Sequence, residues 1–192
     1  MNTTLAFDKQ AAILRLILQL RENGNWCGKT VVQKAAYFVE ILSGHRFGFD
    51  FVLYKHGPYS FDLADTMGVM NSLEYIKFEV SHPQYGPRIK PLDDAPDILL
   101  KKYGGLAEQL EREINFVANK LADCGIAAVE RLSTALFFTR QEPIQGTESR
   151  ILKIREVKPH ISEVDAANAV AQVDKILEEW SAISQPKEHQ AA

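Results

Sequence analysis

Gly28-Lys29-Thr30-Val31-Val32-Gln33-Lys34-Ala35-Ala36-Tyr37-Phe38-Val39-Glu40, followed by Phe51-Val52-Leu53-Tyr54-Lys55-His56-Gly57-Pro58-Tyr59-Ser60-Phe61-Asp62-Leu63, decides how the chain is read. In the first half, Val31, Ala35, Phe38 and Leu42 form an apolar line at helical spacing, and Val32, Ala36 and Val39 widen it. A helix apolar around so much of its circumference belongs at the centre of a fold. The spacing predicts helix from Lys29 to Leu42, ended by Ser43-Gly44. The aromatic and β-branched run from Phe49 to Tyr54 predicts a short strand. His56-Gly57-Pro58 turns the chain, and Ser60 caps a helix from Phe61 to Asn71 with Leu63, Met67 and Met70 inward.

Working outward, residues 1–7 read as a loose lead-in and Asp8 as the cap of a helix from Lys9 to Glu22, stopped by Asn23-Gly24-Asn25. Beyond the central unit, Tyr75–Val80 and Gly86–Lys90 predict a β-hairpin joined by the polar stretch Ser81–Tyr85. A short helix from Asp97 to Lys102 breaks at Gly104-Gly105. Leu106, Leu110, Ile114, Val117 and Leu121 then mark a helix from Leu106 to Ala122. Ile126–Thr139 and Ser149–Glu156 predict two more, with a loop at Pro143–Gly146 between them. Ser162 caps a last helix from Glu163 to Trp180. The expectation is a mostly helical α+β fold: six or seven helices around a central buried helix, with a small two- or three-stranded antiparallel sheet. It is read as a single domain over residues 1–183 with a frayed polar tail at 184–192.

Composition narrows the function classes. The 192 residues are 46% hydrophobic and 24% charged, which suits a folded domain with a real core rather than a disordered chain. A formal net charge of −3 speaks against a strongly basic nucleic-acid binder. Residues 1–60 carry seven Lys/Arg against four Asp/Glu, and the remainder is acidic. The longest early apolar run, Ala11–Leu20, is broken by Arg15 and Gln19 and falls short of a membrane span of about 20 residues. Asp8 and Lys9 lead into an amphipathic pattern without a small-residue cleavage site, so no signal peptide is expected. Two cysteines far apart, Cys27 and Cys124, suit a reduced, cytoplasmic protein.

Patterns for chemistry are incomplete. Gly28-Lys29-Thr30 looks like the end of a phosphate-binding loop, but Gly24 is one residue too close and a helix, not a strand, precedes it. The five histidines are scattered with no i, i+4 pair, and neither cysteine sits in Cys-x-x-Cys, so no metal centre or cofactor is expected. Ser60 lacks a nucleophile elbow, and capping accounts for it. Without a complete nucleophile, base and orienting group, the chain is not expected to be an enzyme. Lys29, Lys34, Arg46, Lys55 and His56, interleaved with Tyr37, Tyr54 and Tyr59, suit either phosphate and base contacts or a protein-interaction surface.

Val32-Gln33-Lys34-Ala35-Ala36-Tyr37-Phe38 resembles the Gln-Lys-x-x-Tyr helix of the SocA-like (Panacea) antitoxins and the related YwgA-like proteins. Tyr54-Lys55-His56-Gly57-Pro58-Tyr59-Ser60, followed by Asp62-Leu63, resembles the Gly-Pro-Tyr-Ser-x-Asp-Leu turn of the YwgA-like branch, and the ordered pair is similar to the toxin-binding region of DarG-type antitoxins. The match is carried by residues 29–70. No macrodomain is present, so the ADP-ribose-removing activity of full DarG proteins is not carried over. The resemblance implies a non-catalytic antitoxin-like interaction protein of a bacterial toxin–antitoxin or defence system. Its partner would be a cognate toxin or effector protein, with nucleic acid reached through that partner and no membrane involved. The partner-binding residues so implied are Gln33, Lys34, Tyr37, Lys55, His56 and Tyr59. Gly57, Pro58, Ser60 and Asp62 are the structural residues of the turn, and Tyr59 also serves there; Lys34 and His56 fit either role. The alternative is a DNA-binding transcriptional regulator in which the 75–90 hairpin is the wing of a winged helix.

Overall fold

A computed structural model of the chain describes residues 3–80, 86–140, 144 and 146–184. It is a mostly helical α+β fold, with nine helices and two small antiparallel sheets among the described residues. The central helix, α2 (Lys29–Leu42), follows α1 (Thr3–Glu22). Ten consecutive residues of α2, Val31 to Glu40, are buried. They are enclosed by α1, α6 (Glu111–Leu121), α7 (Ile126–Arg140) and a short strand. Burial on all sides requires each polar side chain of α2 to find a partner inside the protein, because an unpaired buried polar group is costly.

The strand predicted over 49–54 is shorter, β1 (Val52–Tyr54), and pairs with β2 (Gly57–Tyr59) in the register Val52↔Tyr59, Leu53↔Pro58 and Tyr54↔Gly57. The Gly-Pro segment, expected as a turn only, is therefore the second arm of a hairpin whose two-residue loop is Lys55-His56. Pro58 has no N–H, so the Leu53/Pro58 pair occupies the position at which neither residue bonds across the ladder. Among the described residues β1 and β2 pair only with each other, so two two-stranded sheets stand in place of one. Ser60 caps α3 (Phe61–Ser72): its hydroxyl accepts from the Leu63 N–H at 3.2 Å.

The second hairpin, β3 (Ile76–Glu79) with β4 (Arg88–Pro91), lies where the sequence places it; the joining residues 81–85 are outside the described part. It is fastened to the α1–α2 corner. The Ile89 N–H donates to the Cys27 carbonyl at 2.9 Å, Arg21 donates to the Ile89 carbonyl at 3.0 Å, and the Lys29 ammonium sits 3.7 Å above the Phe78 ring. Ile76 and Ile89 are buried beneath it.

Four helical expectations change. α1 begins by Thr3 rather than at Asp8, because Phe7 stacks on Tyr103 with ring centroids 4.7 Å apart, and that distant contact holds the first turns. The helix expected over 106–122 is divided at Leu110 into α5 (Gly105–Gln109) and α6, following α4 (Ala95–Tyr103). α8 (Thr147–Val157) is longer than expected, while α9 (Glu163–Ser184) runs on past Trp180. That one division, with the short α4 and α8 present as helices, brings the number to nine among the described residues, above six or seven. The Ser162 hydroxyl accepts from the Asp165 N–H at 3.1 Å and so caps α9 as expected. Of the 143–146 loop only Ile144 and Gly146 are described, and the tail beyond Ser184 lies outside the described residues. No helix of the described residues is long and apolar enough to cross a membrane.

Candidate functional site

The two stretches that open the sequence reading are bonded to each other. Gln33 Nε2 donates to the Ser60 carbonyl at 2.9 Å, and Gln33 Oε1 accepts from the Ser60 N–H at 2.9 Å. At the adjacent position, Lys34 Nζ donates to the Pro58 carbonyl at 2.8 Å. That carbonyl points out of the hairpin ladder because Pro58 is at its non-bonded position, which leaves it free to accept. Gln33 and Lys34 are only 1% and 2% exposed, so both are internal fasteners of the β1–β2 hairpin to α2. Tyr37 is fully buried, with its ring edge-on to Phe51 at 5.1 Å and its hydroxyl without a hydrogen-bond partner among the described residues. Burial raises the Tyr37 phenol above its usual range. These three residues, expected at a partner surface, are interior in the chain alone, with Gln33 and Lys34 at the floor of a small cleft. Polar residues on an otherwise apolar helix meet their partners in a segment that folds back over it.

The turn is pressed onto α7. Gly57 has φ +92°, and a Cβ there would lie 2.9 Å from Thr134 Oγ1 and 3.3 Å from Ser133 Oγ, so glycine is required twice over. Pro58 and Ser60 are buried and Asp62 is exposed in the first turn of α3, where a negative charge meets the positive end of the helix dipole. Lys55 and His56 stand out at the hairpin tip, with His56 Nδ1 3.4 Å from Glu130 Oε1 on α7. Burial lowers Lys34 from 10.5 to about 8, with the Glu130 charge opposing that fall and Lys158 adding to it. Burial likewise lowers Lys158, again against Glu130.

Two clefts flank the hairpin. One, of about 270 Å³, is bordered by Lys29, Gln33, Lys34, Tyr54, His56 and Tyr59 on the β2 side. The other, of about 670 Å³, runs between β1 and the α7 and α8–α9 region, bordered by Leu53, His56, Glu130, Arg131, Lys158 and His160. Over the outside of the hairpin, Tyr54, Tyr59 and Phe61 pack ring against ring at centroid distances of 5.1 to 5.9 Å. Tyr54 and Phe61 are each 57% exposed, so this cluster rests on itself more than on the core.

No protein-family model matches the chain, and no curated protein matches it.

Phe61, Glu130, Arg131 and Lys158 were not singled out as site residues by the sequence. Phe61 was open to discovery: with Leu63, Met67 and Met70 facing inward, an aromatic residue at the first position of α3 faces out. Glu130 and Lys158 reach the hairpin across some seventy and one hundred residues of chain, and nothing local marks them. Among the described residues, no group of three or more His, Cys, Asp or Glu converges as a metal site would require.

Proposed function

We propose that the chain is a non-catalytic, antitoxin-like interaction protein of the SocA-like kind, acting in the cytoplasm by binding a toxin or defence effector protein directly. The observation that carries this reading is the exposed ring cluster of Tyr54, Tyr59 and Phe61, with Lys55 and His56 beside it. Tyrosines are over-represented among residues that dominate binding energy, and rings already packed on one another lose little freedom on docking. The hairpin that bears the two tyrosines, and the start of α3 that bears Phe61, are fastened by Gln33 and Lys34, so the surface is presented rigidly. The two motifs that carry the family resemblance are these fasteners and the turn they hold. The resemblance thus speaks for a shared scaffold, and the ring cluster speaks for recognition.

Binding, rather than chemistry, fits the groups near His56. The Ser133 and Thr134 hydroxyls donate to the Glu130 carbonyl within α7 at 3.1 and 2.7 Å and are committed to their own helix. The DNA-binding alternative finds little support: α3, the helix before the second hairpin, carries Asp62 and Asp65 and no Lys or Arg, which repels a phosphate backbone.

The test is capture of the product of the neighbouring gene by the full chain at low salt, with the Tyr54→Ala/Phe61→Ala double variant as comparison. The reading expects a complex with the wild type and a loss of at least about thirtyfold in affinity for the variant, the scale of one interface hot spot. A wild-type chain that forms no complex removes the reading.

A further inference from the structure

The larger cleft has a feature that an ordinary surface groove lacks. Leu53 is opposite Pro58 in the hairpin, and that pair is the non-bonded one, so the Leu53 N–H and C=O both point away from β2. On the β2 side, the outward carbonyl of Pro58 is taken by Lys34. On the β1 side, Leu53 has no backbone or side-chain partner among the described residues. The 670 Å³ cleft includes Leu53, Tyr54, Lys55 and His56 but no residue of β2, which places it along the outer edge of β1. A donor and an acceptor on a strand edge, next to a cleft of ligand size, form a template for one more strand.

The charges of the cleft give the occupant its sign. Its two acids are outnumbered by Lys55, Arg131 and Lys158: Glu130 lies 3.4 Å from His56 Nδ1, an ion pair only when that imidazole is protonated, and acts on Lys158 as well, while Asp165 accepts from Ser162 at 2.7 Å and lies 4.0 Å from Arg131. Lys158 is 8% exposed, and its ammonium meets only the carbonyls of Tyr54 and Lys55, with no carboxylate in ion-pair range among the described residues. Lys55 at the cleft mouth likewise has no ion pair among the described residues. A buried ammonium solvated by carbonyls alone favours an anionic group brought next to it.

We infer that this cleft receives an extended, acidic segment of a partner protein, which adds to the edge of β1 through Leu53 and sets a carboxylate beside Lys158 and Lys55. The inference rests on the interaction reading above and goes beyond it: the ring cluster supplies a docking face, and the cleft takes a particular piece of the partner in a particular conformation. Backbone pairing gives the segment its register, while the cationic border selects acidic side chains.

The experiment is an NMR titration of the full-length chain with a blocked octapeptide alternating Glu and Thr, against its Lys and Thr counterpart, at low salt. With the acidic peptide, the Leu53 amide should slow in hydrogen exchange by at least about tenfold, and the resonances bordering the cleft should move; the basic peptide should do neither. Leu53→Pro removes the outward N–H without touching a ladder bond, and it should weaken the acidic peptide by at least about tenfold. Should that variant not fold, Arg131→Glu should give the same loss through charge. Unchanged Leu53 exchange, or equal binding of both peptides, overturns the inference. The interaction reading is separately decided by the neighbour's product. If that complex forms and Arg131→Glu leaves it intact while Tyr54→Ala/Phe61→Ala breaks it, the cleft assignment falls and the interaction reading stands.

Discussion

The Gln33 carboxamide reads the Ser60 backbone as a neighbouring strand would, giving one hydrogen bond at 2.9 Å and taking another at 2.9 Å. Both groups are buried, so neither has water to fall back on. Replacing Gln33 by Ala strands two backbone groups, each worth about 1 to 3 kcal/mol when left unpaired. We expect Gln33→Ala to lose about 3 kcal/mol in urea unfolding and to melt roughly 10 °C lower. Ser60→Ala, which keeps both backbone bonds and removes only the cap of α3, should lose about 1 kcal/mol. A larger loss from Ser60→Ala than from Gln33→Ala would contradict this assignment.

Lys34 gives the fold a pH signature. Its value in the folded protein, about 8, lies below its ordinary 10.5, so between those limits the unfolded chain holds more protons than the folded one. Stability should therefore rise with pH across that window, as a penalty carried at neutral pH is lifted on deprotonation. The span corresponds to roughly 3 kcal/mol. Other groups titrate nearby, so the measurement is the difference between wild-type and Lys34→Met stability curves from pH 7 to 11. The difference should change along that window and flatten beyond it; a constant offset would refute the buried, depressed ammonium.

Gly57 carries two separate demands, one of φ and one of space. Gly57→Ala should cost about 2 to 3 kcal/mol, combining a left-handed residue with a clash against Thr134. Pairing it with Thr134→Ala removes the closest atom but not the backbone demand. Calorimetry on the double variant should thus recover only part of the loss, leaving about 1 kcal/mol beyond the cost of Thr134→Ala alone.

The cysteines separate by depth. Cys27 is fully buried, and desolvation pushes its thiol up to about 12; Cys124 is half-buried, and burial with the Asp123 charge raises its thiol too. Under native conditions a thiol reagent should modify Cys124 first, while Cys27 should react only at the rate of global unfolding. The Cys124→Ser variant should then show no native-state labelling, by mass spectrometry, on the timescale on which wild type takes up one equivalent.

Much of the scaffold was legible because it is local. The apolar line of Val31, Ala35, Phe38 and Leu42 announces a central helix, and Ser60 and Ser162 mark helix starts through bonds to residues three positions on. What stayed hidden depends on distant partners. Phe7 is helical because Tyr103 lies beneath it, and Lys34 is interior because the Pro58 carbonyl comes to it. β2 escaped because Gly57-Pro58-Tyr59 has no alternation and its strand identity rests on its pairing with β1. In the site, Lys55, His56 and Tyr59 were visible by type, whereas Gln33, Lys34 and Tyr37 offered polar groups that suit a surface or an interior equally until their partners are known.

The indole N–H of Trp180 donates to the carbonyl of Leu42 at 3.2 Å, joining residues 138 positions apart. Closing so long a loop spends entropy before any contact repays it, so this junction belongs to the late steps of assembly. The ring cluster is the opposite case, its three rings lying within eight residues of chain, from Tyr54 to Phe61. Local ring packing and long-range closure therefore draw on contacts of very different sequence distance. A growing or refolding chain can show its aromatic face while the far end of its central helix still awaits a cover.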